Sequence, residues 1–176
     1  TLTGEIGLTQ SQVGLLFTTY STPNLIMPAI AGLAMDRFGL KITGVTLLTV
    51  LGIGSVIYSL AFRWEDVPTV FFVMNVGRFV QGLAGECLVT WHQAACLFWF
   101  SGKHESKSIG VCLAVQNGLG SAASFFVLEW ARASYGLEFA NWIVFFHCCV
   151  AFMCLLVFFF YEKVYSTYLI TEMKRG

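Results

Sequence analysis

Gly77-Arg78-Phe79-Val80-Gln81-Gly82-Leu83-Ala84-Gly85-Glu86 places two ionisable side chains inside the apolar run 67–98. Counted from the polar residues before the run, Arg78 is roughly 18 Å in at a helical rise of 1.5 Å per residue. Glu86 is about 12 Å further. Neither reaches water by extending its side chain along the helix. A charge near the middle of a bilayer costs at least about 2.5–3.5 kcal/mol. The chain must offset that with a polar cavity, a partner, or neutralisation of Glu86. On one continuous helix, eight residues at about 100° each put the two roughly 80° apart around the axis. They can then face one cavity at different depths, without pairing along the helix.

The rest of the chain shows why lipid is the solvent. Apolar residues are 57% of the 176, and charged residues 11%. Soluble domains carry roughly 25% charge. So little polar surface cannot solvate a globule, whereas helices that satisfy their own backbone groups can face acyl chains. The formal net charge is zero, and no Lys/Arg stripe suggests a nucleic-acid partner. The cysteines at 87, 96, 112, 148, 149 and 154 form no C-x-x-C pair and no zinc spacing, and read as buried thiols. His92 and His147 lack ligand spacing and read as packing or interfacial residues. No nucleophile elbow, phosphate loop or metal motif occurs, so neither an enzyme nor a cofactor is expected.

Working outward from 67–98 gives an all-α, polytopic transmembrane bundle. Five spans are expected over residues 11–36, 42–62, 67–98, 108–129 and 138–162. An external or lumenal loop precedes them at 1–10. Loops at 37–41 and 99–107 and a linker at 163–176 are assigned to the cytoplasm. Each span is near the roughly 20 residues a crossing helix needs, and the third is longer. Thr9 with Gln12 fits a capping box at the start. Pro23 and Pro28 are read as kinks, which membrane helices tolerate. Seven of the ten Lys/Arg residues (37, 41, 103, 107, 163, 174 and 175) fall on one side, and Arg63 and Arg132 on the other. The positive-inside bias makes the first side cytoplasmic. The abrupt start at Thr1 reads as that of a fragment of a longer protein.

Three groups of residues carry information. Thr90 and Gln93 extend the Glu86 face at i+4 and i+7, with Gly82 leaving room at i−4. With Arg78 and Gln81 this is the face expected to line a binding site. The bland alternative is a buried Glu–Arg lock between helices. The loop 32–41 has Gly32 for close helix approach, Asp36 and Arg37 at the bilayer exit, Gly39 for a tight turn, and Lys41. Its bland alternative is a helix end with a positive tail. In 108–129, small residues from Gly110 to Ser124 favour close helix packing. Gln116 and Asn117 are polar at mid-span and are candidates for the same cavity.

These residues resemble the major facilitator superfamily. Its loop between spans two and three reads roughly G-x-L-A-D-R-x-G-R-K. Gly32, Asp36, Arg37, Gly39 and Lys41 match it, with Ala34 and Leu40 departing. Its span-four motif R-x-x-Q-G matches at Arg78, Gln81 and Gly82. A narrower resemblance is to the lysosomal dipeptide uniporter branch, through 77–86 and a turn at Trp99, Phe100, Gly102, Lys103 and Glu105. That branch carries an Arg in span five, where Gln116, Asn117 and Gly118 stand here.

The resemblance implies spans two to six of the first half of a twelve-helix transporter, with span one and the second half outside this sequence. It implies a secondary active or facilitative carrier of a small polar solute (dipeptides or amino acids) working by alternating access. Glu86 would recognise a peptide's amino end, and the loop 32–41 would be a cytoplasmic latch. The implied partners are a small-molecule substrate, the lipid bilayer, the second half of the same transporter and an accessory subunit. The implied location is a lysosomal, endosomal or plasma membrane. The rival from another class is a transporter-like, non-transporting subunit or scaffold of a membrane assembly.

Overall fold

The computed structural model describes residues 6–100, 102 and 104–173, the side chains of 119 and 165–173 excepted. Residues 1–5 of the expected outer loop, Lys103 of the motif turn, and Lys174 and Arg175 of the tail lie outside the described residues.

The described chain is helical, without a strand. The first helix, α1 (Gln10–Ser21), opens on the expected capping box. Thr9 N–H donates to Gln12 Oε1 at 2.8 Å, and Gln12 N–H donates to Thr9 Oγ1 at 3.3 Å. A short 3₁₀ turn at Pro23–Leu25 follows. Pro23 has no N–H to continue the ladder, so the expected span 11–36 is not one helix. It breaks between Ser21 and Met27. The second helix, α2 (Met27–Leu60), is two helical segments joined by a kink. Gly39 sits at φ 81°, ψ 165° and divides it. That conformation is strained for any residue with a Cβ.

A 3₁₀ turn at Ala61–Arg63 leads to α3 (Val67–Gly82), capped by Asp66, whose carboxylate accepts from Thr69 N–H at 3.1 Å. The run 67–98 then breaks. Leu83 still donates to the Phe79 carbonyl at 3.1 Å, Ala84 turns off at φ −120°, ψ −24°, and α4 (Gly85–Trp99) begins there. Then come α5 (Glu105–Ala114), a π-helical stretch Val115–Gly120, α6 (Ser121–Tyr135) and α7 (Leu137–Met173). Four helical stretches are long and apolar enough to cross a membrane: Met27–Arg63, Val67–Trp99, Glu105–Tyr135 and Leu137–Val164. Met27–Arg63 takes in both helical segments that flank the Gly39 kink, and the kink falls between the expected spans 11–36 and 42–62.

Packing centres on α2, which lies against α3, α4 and α7. Two apolar clusters hold it. One joins Leu8 and Leu16 to Tyr58, Val70 and Met74. The other joins Ala31 and Leu47 to Ala84, Cys87, Trp91 and Leu155. Close approach is made at Gly54 and Gly77. A Cβ on Gly54 would lie 2.7 Å from the Gln81 backbone nitrogen, and one on Gly77 2.7 Å from that of Tyr58. Small residues let two backbones meet where lipid supplies no hydrophobic drive. Gly32 makes no such approach, since a Cβ there would have nothing within 4 Å. From α5 through α6, Ala131 alone is buried among the described residues.

Candidate substrate site

Arg78 is held by one turn of α3 and one of α2. Its guanidinium stands over the Tyr58 ring at 4.5 Å and near the Phe17 ring at 6.0 Å. Attraction to the ring face compensates part of its lost hydration. Nη1 donates to Gln81 Oε1 at 3.5 Å, and Gln81 Nε2 donates to Ser55 Oγ at 3.2 Å. Ser55 Oγ donates onward to the Leu51 carbonyl at 2.9 Å. Arg78 Nε is buried without a hydrogen-bond partner. Buried polar atoms are seldom left so.

Gln81 is itself buried. It stands between Arg78 and Ser55, hydrogen-bonded to both. Gly82 likewise leaves no room beside Glu86, because a Cβ there would strike the Tyr20 backbone. The Gly85 position is closed by the Tyr20 hydroxyl.

Glu86 lies beyond the Leu83–Ala84 break, in the first turn of α4, and is exposed. Among the described residues no ion pair joins it to Arg78. The break also voids the 80° relation, which assumed one continuous helix. Tyr20 lies within electrostatic reach of both charges, and so links the two halves of the run. Thr90 turns its hydroxyl back to the Glu86 carbonyl at 3.4 Å, and both Thr90 and Gln93 are half-buried. Nearby, Thr19 Oγ1 donates to Asn75 Oδ1 at 2.9 Å. Gln116 and Asn117 are exposed on the π-helical stretch. No described contact joins them to α3 or α4.

A cavity of about 680 Å³ opens between α2, α4 and α7, with Leu48, Leu88, Trp91, His92, His147 and Cys148 among its walls. It is apolar, and neither Arg78 nor Glu86 lines it. The polar site and this apolar cavity are therefore separate places.

The loop 32–41 is anchored by residues the sequence did not point to. Asp36 and Arg37 are exposed, with Arg37 over the Phe38 ring at 5.7 Å. Lys41 Nζ pairs with Glu162 of α7 at 2.9 Å and lies 5.8 Å from the Phe159 ring centroid. Trp91 Nε1 donates to the Leu40 carbonyl at 2.7 Å, and its ring fills the space a Cβ on Gly44 would need. Tyr20, Phe17, Ser55, Tyr58 and Glu162 were not foreseen as site residues. Their only sequence signal is a polar or aromatic residue inside an apolar run, which does not say what it faces.

Comparison with known proteins comes to the same fold. The lysosomal dipeptide transporter MFSD1 of Danio rerio is 31% identical over 116 residues, which is 65% of this chain and 24% of that protein. The human MFSD1 is 29% identical over 117 residues, 66% of this chain and 24% of the relative. A bacillibactin exporter of Bacillus subtilis is 30% identical over 109 residues, 61% of this chain and 26% of the exporter. The chain thus spans about a quarter of the length of the curated relatives it matches. No solved structure gives a significant match. The family model of the Major Facilitator Superfamily matches residues 1–173, nearly the whole sequence, and the chain belongs to that superfamily.

Proposed function

We propose that this chain is the substrate-reading part of a membrane transporter that moves a small solute with opposite charges at its two ends, a dipeptide first among them, by alternating access. What carries the reading is the separation of the two charges. Arg78 stands over the Tyr58 ring with its buried Nε unpartnered, and Glu86 is exposed across the break. A structural lock would have paired them. Kept apart, Arg78 accepts a carboxylate and Glu86 an ammonium. Gln81 holds Arg78, and Thr90 and Gln93 line the approach to Glu86. Gln116 and Asn117, exposed on the π-helical stretch, are the further candidates for the same lining.

In this proposal Gly32, Asp36, Arg37, Gly39 and Lys41 form a latch on the cytoplasmic side, and Asp36 meets a helix N-terminus of the second half. The spans run over 11–36, 42–62, 67–98, 108–129 and 138–162. The relatives are named as lysosomal dipeptide transporters, and the lysosomal membrane is the proposed location. An accessory subunit is a further proposed partner.

The test is uptake into proteoliposomes by the full-length protein. A free dipeptide is compared with its amino-acetylated and carboxy-amidated forms. Glu86→Gln is expected to abolish the preference for a free amino end, and Arg78→Gln that for a free carboxylate. Unchanged uptake by Glu86→Gln at every pH removes Glu86 from the site. Absence of any solute uptake by the intact protein favours a non-transporting subunit.

A further inference from the structure

Cys96 and Cys112 come from different helices, sixteen residues apart, and their Sγ atoms lie 3.4 Å from each other. Cys96 is in the last turn of α4 and Cys112 in the third turn of α5. Among the described residues this is the one sulfur–sulfur contact. Cys87 donates to the Leu83 carbonyl at 3.5 Å, and Cys148 faces Ser55 at 3.8 Å. The two members differ in access. Cys112 is exposed and Cys96 is buried. A disulfide needs about 2.05 Å between sulfurs, so closing the pair requires a shift of about 1.4 Å. A shift of that size is a small adjustment between two packed helices, and α5 packs on α4. It touches α4 at this point, and the helical stretch it begins next packs on α7 through α6.

We propose that Cys96 and Cys112 form a modification site, a dithiol that low-molecular-weight disulfides of the glutathione type convert to an intramolecular disulfide tying α4 to α5. The steps balance as thiol–disulfide exchange. Cys112 loses its proton, and its thiolate attacks one sulfur of the small disulfide. The S–S bond of the reagent breaks, and one thiolate leaves and takes up a proton. A mixed disulfide remains on Cys112. Cys96 then loses its proton and attacks the Cys112 sulfur, displacing the second small thiol. Two protein thiols are oxidised and one small disulfide is reduced to two thiols. Exposure makes Cys112 the entry point, and burial makes Cys96 the resolving thiol.

The site is tested on the full-length protein in native membranes, incubated with oxidised glutathione. Remaining thiols are labelled with maleimide after denaturation, and peptides are mapped without reduction. The expected result is a reductant-reversible peptide linking Cys96 to Cys112, with both thiols lost together from the labelled pool. Cys96→Ser is expected to stop at a glutathione adduct on Cys112. Cys112→Ser is expected to leave Cys96 fully labelled. The wild-type measurement needs neither variant to fold, and Cys→Ala forms serve as second variants. The proposal is overturned if wild-type Cys112 stops at the glutathione adduct, if neither thiol reacts, or if Cys96 is recovered linked to Cys148 or Cys154.

Discussion

The guanidinium of Arg78 stacks on the ring of Tyr58 at 4.5 Å, so the cation of the candidate site is held by an aromatic face and not by a carboxylate. A cation over an aromatic ring is worth about 0.5–2 kcal/mol, which corresponds to about 2- to 30-fold in an equilibrium constant. Tyr58→Leu is therefore expected to weaken substrate affinity within that range. Tyr58→Phe, which keeps a ring, is expected to lose less. Concentration-dependent uptake in proteoliposomes measures both. Equal losses in the two variants would assign the effect to the hydroxyl.

Gln81 separates stability from recognition. Gln81→Glu places a carboxylate beside Arg78 and pairs it, which is expected to raise thermal stability in detergent while abolishing uptake of anionic substrates. Gln81→Leu removes the acceptor and leaves a charged group less satisfied, at a cost of about 1–3 kcal/mol. It is expected to lower both. A thermal unfolding series read beside uptake distinguishes these outcomes. Parallel loss of stability and uptake in Gln81→Glu would remove Gln81 from a positioning role.

Not every glycine of α2 and α3 matters equally. Gly54 and Gly77 leave a Cβ only 2.7 Å from a backbone atom of the neighbouring helix, while Gly52 has nothing within 4 Å. Gly54→Ala and Gly77→Ala are expected to destabilise by about 1–3 kcal/mol through overpacking. Gly52→Ala is expected to be neutral or stabilising by up to about 1 kcal/mol, since alanine favours the helix interior. Detergent unfolding temperatures test the contrast.

Lys41 and Glu162 join the loop at Gly39 to the C-terminal half of α7 at 2.9 Å. Half of the Lys41 side chain is exposed, at 51%, so water and salt screen the pair and its coupling is expected to be at most about 1 kcal/mol. A double-mutant cycle with Lys41→Gln and Glu162→Gln measures it. The coupling is expected to fall as salt rises. A coupling that did not respond to salt would place the pair in a drier setting than its exposure indicates.

Helical class and lipid as solvent are legible in the sequence, because both rest on run length and on scarcity of charge. The Thr9–Gln12 box and the turn at Gly39 are legible too, since each depends on residues within a few positions of one another. What escapes is whatever depends on a second helix. The break at Leu83–Ala84 falls between two apolar residues with no proline, flanked by Gly82 and Gly85. Tyr20 lies against both glycines, a contact the run itself does not announce. Gln81 reads as a cavity residue until α2 supplies Ser55. The stretch Gln116–Asn117 reads as α-helix, and its π-helical register has no signature in residue type.

Because the run 67–98 is jointed, Arg78 and Glu86 ride on separate rods. Bending at Leu83–Ala84 would change the span between cation and anion while the Tyr58 stack on one rod and the Trp91 anchor on the other kept their own contacts. Ligand length and joint angle would then be two readings of one coordinate. A solute too short or too long for the resting span would be read by how far the joint must flex to meet both of its ends.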